Sequence, residues 1–175
     1  MAVLVEGISV IIRRKTIEDR YPGGWDAYAA NVPNKTLCAD EEIARVGFMA
    51  PSDVDSYVKD LEGYGFQFLV SGQSKDIAVA DQLRGLTAPC EWLEFGQVDL
   101  EGGSKRSSAC RLKGSTSEVL ITPEGWRFEG SLSQTFGFVP SEHTDRSLKF
   151  LRHENGIDVY LNEITGKEVF IGRTS

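Results

Sequence analysis

Histidine is nearly missing from this chain, and the residues that could serve metal or nucleophile chemistry are scattered. The 175 residues hold two histidines, His143 and His153, and three cysteines, Cys38, Cys90 and Cys110. The histidines are ten apart, which is not the compact spacing of a zinc site. The cysteines form no CxxC pair, and their odd number fits no disulfide framework. They read as buried free thiols, because a free cysteine packs as a small hydrophobe. A reducing, cytoplasmic location is therefore expected.

Long apolar runs are also missing. No stretch of about 18 uncharged apolar residues occurs, so no membrane partner is expected. Met1–Val5 is apolar, but Glu6 interrupts it and no basic stretch precedes it. It reads as a strand and not as a signal peptide. No Walker A run is present, because Gly166-Lys167 is followed by Glu168 and the required earlier glycine is lacking. No GxSxG elbow occurs. Gly102-Gly103-Ser104 lacks the strand–turn–helix setting of a dinucleotide site. No catalytic residue, cofactor or metal ligand is assigned on these grounds. Scattered carboxylates could still do acid–base work, but nothing in the sequence singles one out.

Positive charge is scarce in the first part of the chain. The net charge is −7, and the whole excess falls in residues 1–100, since residues 101–175 balance. Nucleic-acid binding rests on neutralising phosphates, so no nucleic-acid partner is expected. A basic protein partner is compatible with this charge, and so is plain solubility. One short basic cluster, Arg13-Arg14-Lys15, closes the first apolar run. It reads either as a solvated strand end or as an anion contact.

What is present is a strand–helix–strand unit from Ile43 to Val70. Val54, Tyr57, Val58, Leu61 and Tyr64 recur at helical spacing and form one apolar stripe. Ser52 is the expected N-cap, and Gly63 and Gly65 supply the stop. The flanking runs Ile43–Ala50 and Phe66–Val70 read as strands, and Arg45 marks a face of the first that is expected to be only partly buried. A helix with one apolar stripe needs a sheet beneath it.

Before this unit, Ala2–Arg14 reads as one long strand. Thr16 and Asp19 could cap a short helix, and Pro22-Gly23-Gly24 breaks it before Trp25, Tyr28, Ala29 and Val32 resume helical spacing. Pro33-Asn34 is a turn signal, Thr36–Cys38 a short strand, and Asp40-Glu41-Glu42 an acidic bend. After the unit, Ser71–Lys75 reads as a loop, and Ile77–Ala80 and Cys90–Val98 as strands. Glu101–Ser108 reads as a polar linker and Ala109–Leu112 as a short strand. Glu118–Thr122 and Trp126–Phe128 are expected to pair through Pro123-Glu124-Gly125. Gly130–Val139 is expected to be extended and Ser141–Asp145 a polar loop. Leu148–His153, Ile157–Leu161 and Val169–Ile171 form a meander, its first turn at Asn155-Gly156, a strong hairpin signal.

The expected class is α+β. It combines an antiparallel or mixed sheet carrying two helical segments on one face, a split βαβ-like N-terminal part, with a C-terminal antiparallel β meander. Residues 1–100 form the expected α+β sandwich. Residues 101–175 form a β-rich extension packed on it as one compact unit.

Arg45–Ala50, Asp53–Gly65, Phe66–Val70, Asp76–Ala80 and Glu91–Phe95 also follow the order strand, helix, three strands. In that order they resemble one module of the vicinal oxygen chelate family, to which glyoxalases belong. The resemblance covers about a third of the chain and includes no diagnostic motif. It implies a metal-dependent enzyme with His and Glu ligands on strands, and Glu94 would be one such carboxylate. No histidine precedes His143, which leaves most of that ligand set unfilled.

Two functions are therefore carried forward. The first is a binding or protein-interaction protein without catalysis, pairing with a second copy or a basic protein. Its C-terminal meander is rich in edges, which invite pairing unless blunted. The second is a small-molecule binder or metal-dependent enzyme with Trp92, Glu94 and Arg45 around its pocket. Trp25, Trp92 and Trp126 read first as packing residues, or as a pair gathered at one pocket or interface.

Overall fold

In the computed structural model the chain is an α+β protein, described over residues 1–100, 105–117, 119–135, 148–154, 157–162 and 167–172. Strand β1 (Ala2–Val5) and strand β2 (Ile8–Arg13) are followed by helices α1 (Arg14–Arg20) and α2 (Gly24–Ala30). Strands β3 (Cys38–Ala39) and β4 (Ile43–Phe48) lead to helix α3 (Pro51–Gly63). Next come β5 (Leu69–Val70), β6 (Gln73–Ser74), β7 (Ile77–Asp81), β8 (Gly85–Leu86) and β9 (Leu93–Leu100). The remaining elements are β10 (Lys105–Leu112), β11 (Leu120–Ile121), α4 (Leu132–Thr135), β12 (Leu148–Glu154), β13 (Ile157–Asn162) and β14 (Lys167–Gly172).

The long first strand is in fact two. Gly7 takes φ of +59°, and a Cβ there would lie 2.5 Å from the Phe48 carbonyl oxygen. Only glycine accepts that conformation and that approach without strain. The chain turns at Glu6-Gly7 and changes sheet. Strand β2 becomes the centre of a five-stranded antiparallel sheet in the order β3-β4-β2-β7-β8. Strand β1 joins a second sheet in the order β11-β1-β10-β9.

The central sheet is covered on both faces. Ile8, Val10, Ile12, Ala44, Val46, Ile77 and Val79 pack with Ile17 of α1, Tyr28 of α2, and Val54, Val58 and Leu61 of α3. Ile11, Ile43 and Ala78 pack with Val3, Leu4, Val5, Leu93 and Cys110 of the second sheet. The layers run helices, sheet, sheet. Both faces of β2 and β4 are buried, so both strands are largely apolar on each side, with Ser9 and Arg45 the buried polar residues among them.

Helix α3 lies where its stripe predicts, with Val54, Val58 and Leu61 buried. Its start differs. Pro51 occupies the first turn, Ala50 is the N-cap without a side-chain bond, and Ser52 is exposed. Proline suits that first turn because its missing N–H would find no partner there anyway. Tyr64 is the C-cap, 46% exposed, and its ring meets Tyr21 edge-on at 5.0 Å. Gly65, with φ of +93°, then turns the chain away.

Tyr57 donates its hydroxyl proton to the Tyr28 hydroxyl at 2.7 Å, tying α3 to α2. Burial pushes both phenols well above the usual tyrosine range. Their folded-state values exceed the unfolded value of about 10, so this stabilisation is complete below about pH 10 and is lost as pH rises further. Urea unfolding across an alkaline series is expected to show that decline. Tyr57→Phe is expected to cost about 1 kcal/mol at neutral pH, one ordinary hydrogen bond, and to flatten the alkaline loss. An unchanged alkaline slope would rule this pair out as its source.

Other local readings need correction. Phe66–Val70 is paired only at Leu69–Val70, and the expected loop after it is a tight hairpin, β5–β6, turning on Ser71 and Gly72 at φ of +53° and +78°. The expected linker is strand from Lys105 onward. Strands β9 and β10 pair from Leu93↔Leu112 to Leu100↔Lys105, across the position proposed as a domain boundary. Leu120–Ile121 pairs in parallel with β1 and not with Trp126–Phe128. Residues 132–135 are helical where an extended segment was expected, and Ser141–Asp145 lies outside the described residues. The meander is present as β12-β13-β14, with Glu154 opposite Ile157, while the turn expected at Asn155-Gly156 lies outside the described residues. Among the described residues no helix is long and apolar enough to cross a membrane.

Candidate ligand-binding cleft

Arg45, Trp92 and Glu94 do not converge. Arg45, expected on a partly exposed face, is 2% exposed between the two sheets. Its Nε donates to Ser9 Oγ at 2.8 Å, its Nη1 to the Thr36 carbonyl at 3.1 Å and its Nη2 to the Glu6 carbonyl at 3.0 Å. Burial lowers its pKa, opposed by Cys38 and then Glu6. An arginine starts so high that it stays charged near neutrality. Gly47 makes room for it, since a Cβ there would sit 2.3 Å from Arg45 Nη2.

Glu94 lies on β9 and accepts from Arg111 Nε at 2.6 Å. The segments that resemble a chelate module are split between two sheets: β4 and β7 belong to the central sheet, and β9 with Glu94 to the other. Among the described residues no three His, Cys, Asp or Glu side chains gather as metal ligands. His143 lies outside the described residues. Cys38, Cys90 and Cys110 are free and buried. Burial raises Cys38, with Arg45 pulling the other way, and it raises Cys110 well above the usual thiol range. Such thiols are protonated and unreactive.

Trp92 lies elsewhere, on the wall of a cleft of about 470 Å³ bounded by the end of β2, the β5–β6 hairpin and the start of β9. That volume is within the range of small-molecule sites. Its indole N–H donates to the Lys75 carbonyl at 2.7 Å, which fixes the ring. The Arg13 guanidinium lies over that ring, 5.0 Å from its centroid. Val70, Gln73, Ser74, Lys75 and Glu91 complete the walls. The hairpin is held in place by Ser74 N–H to the Pro89 carbonyl and Lys75 N–H to the Phe68 carbonyl, both 2.8 Å.

Two polar atoms of residues on these walls, Arg13 Nε and Ser74 Oγ, are buried and have no hydrogen-bond partner. A buried group left this way costs about 1–3 kcal/mol, so each calls for an explanation. The groove beside Glu94 holds one such atom, Gln97 Nε2, and the groove at Arg14 holds one, Arg14 Nε. The Arg13 cleft holds two.

The basic cluster at Arg13 was a legible signal. Val70, Ser74 and Lys75 were not, because they come from a stretch that reads as an ordinary loop. Compared with family models, curated proteins and solved structures, the chain shows no significant match. Its function is therefore read from its own residues.

Proposed function

We propose that this is a binding protein that works by recognition and not by covalent chemistry, and that the Arg13–Trp92 cleft is its ligand site. The observation that carries this reading is the Arg13 guanidinium lying over an immobilised indole on the wall of one cleft. Elsewhere among the described residues Glu94 pairs with Arg111, Arg45 bonds three acceptors, and Glu6 bonds Trp126 and Ser133. The three buried free thiols favour a reducing, cytoplasmic setting.

A fragment screen by ligand-observed NMR tests the site, run on the wild type and on Val70→Trp, which fills the cleft. Hits that vanish in the filled variant support the reading. No hits, or hits indifferent to filling, refute it. The orphan hydroxyl gives a second check. Ser74→Ala removes an unpaired buried group, so it is expected to be neutral or to stabilise by up to about 1 kcal/mol in urea unfolding. A clear destabilisation would mean that the hydroxyl has a structural partner.

A protein partner is the second reading, favoured by the β12-β13-β14 sheet. Its outer strands each have one paired neighbour among the described residues. A strand from a second copy, or from a basic partner matching the acidic first hundred residues, could extend such an edge. Light scattering on the full chain tests the homodimer, and a monomer at all concentrations would remove it.

A further inference from the structure

We infer that the ligand of this cleft is a small organic carboxylate, its anionic group held by Arg13 and Lys75 and its apolar body packed on Trp92 and Val70. This rests on the reading of the cleft as the binding site and adds the class of ligand.

The charge of the walls points to an anion. Arg13 and Lys75 both line the cleft, and neither has an ion-pair partner among the described residues. Glu91 is the acidic residue on the same walls, which leaves them a net single positive charge. That balance suits a monoanion better than a phosphate dianion. The other grooves differ. At Glu94 the nearby arginine is already paired at 2.6 Å, and the groove at Arg14 carries Asp40, Glu41 and Glu42.

The geometry of Arg13 points the same way. A guanidinium lying over an indole face is held by cation–π attraction, and its N–H edge is left to donate. The planar guanidinium has the fork geometry that takes both oxygens of a carboxylate. Lys75 adds a mobile point charge. Apolar contact comes from Trp92 and from Val70, which is 43% exposed on the rim. A ligand that was only a charge would leave this wall unused.

The protein carries a net charge of −7, so its overall field repels anions and the attraction is local. Affinity is expected to fall as salt rises, since the cleft is open to solvent.

The test is a titration of the full chain followed by tryptophan fluorescence, with Trp92→Phe as the control for the reporting ring. The probes are benzoate, phenyl phosphate, benzyl alcohol and benzylamine. Benzoate is expected to bind saturably and at least about tenfold more tightly than benzyl alcohol, the margin of one charge-assisted contact. Arg13→Gln is expected to weaken benzoate by about tenfold or more, and the exposed Lys75→Gln by a smaller factor. Phenyl phosphate is expected to trail benzoate and to recover in Glu91→Gln. Benzyl alcohol binding as well as benzoate, or benzoate affinity unmoved by both Arg13→Gln and Lys75→Gln, overturns the carboxylate assignment while leaving the cleft as a site. Phenyl phosphate outbinding benzoate overturns the monoanion. Loss of every probe and every fragment hit overturns the site itself.

Discussion

Arg45→Ala is expected to destabilise the protein by about 3–5 kcal/mol, the range for breaking up a buried, hydrogen-bonded charge. Arg45 bonds three groups from separate parts of the chain: Ser9 on β2, the Thr36 carbonyl before β3, and the Glu6 carbonyl at the crossover between sheets. Alanine removes the donor to the Thr36 carbonyl, leaves Ser9 Oγ and the Glu6 carbonyl with only the 3.4 Å bond between them, and opens space between the sheets. Arg45→Lys is expected to recover little, because an ammonium has no planar fork to reach three acceptors. Gly47 supplies an internal control. In the wild type Gly47→Ala forces a methyl within 2.3 Å of Arg45 Nη2, and that guanidinium is held too firmly to step aside. In the Arg45→Ala background the obstacle is gone. The two substitutions together are therefore expected to cost clearly less than the sum of the singles. Urea unfolding of the four proteins measures this, and strict additivity would show that Arg45 does not occupy the space beside Gly47.

This arginine also shows why part of the fold could not be read from the sequence. In Ile43–Phe48 it stands alone among apolar residues, and a lone charge in an alternating run normally marks the solvent face. What reverses the reading is Ser9, Thr36 and the Glu6 carbonyl, none of which is local. The run Ala2–Arg14 misleads for a related reason. Its alternation continues through Gly7 because both sheets bury both faces of the segment, so periodicity carries no mark where the chain changes sheet. Features set by neighbouring residues were legible. The stripe from Val54 to Leu61, the break at Pro22-Gly23-Gly24 and the pairing of β12 with β13 each depend on residues within a few positions. The cleft divides along the same line. The basic run at Arg13 and the isolated Trp92 could each be noticed. Their stacking depends on a hairpin whose turn, Ser71-Gly72, uses left-handed geometry at a serine, a conformation uncommon outside glycine.

The segment after β11 is fixed through one carboxylate, and removing it gives the second large effect. Glu6 is 8% exposed. Its Oε1 accepts from the Trp126 indole N–H at 2.9 Å, and its Oε2 accepts from the Ser133 backbone N–H at 2.6 Å and the Ser133 hydroxyl at 2.7 Å. Gln82 reinforces the contact, donating to the Leu132 carbonyl at 3.0 Å while its side-chain oxygen accepts from Gly7 N–H at 2.9 Å. Three donors share an acceptor able to take all of them. Hydrogen bonds to a charged group contribute about 1.5–3 kcal/mol each when taken singly and less when they share a partner. Glu6→Ala is therefore expected to cost about 3 kcal/mol. Glu6→Gln is informative because it keeps the shape. Its oxygen can serve Ser133, but its amide then meets the Trp126 N–H donor to donor, so an intermediate loss confined to Trp126 is expected. Two readouts separate this local event from general weakening. Undocking moves Trp126 toward water and shifts its emission to the red, and it speeds amide exchange at Ser133 under conditions where β2 and β4 remain protected. Glu6→Ala with unchanged emission from Trp126 and unchanged exchange at Ser133 would show that this segment is held by its apolar contacts alone.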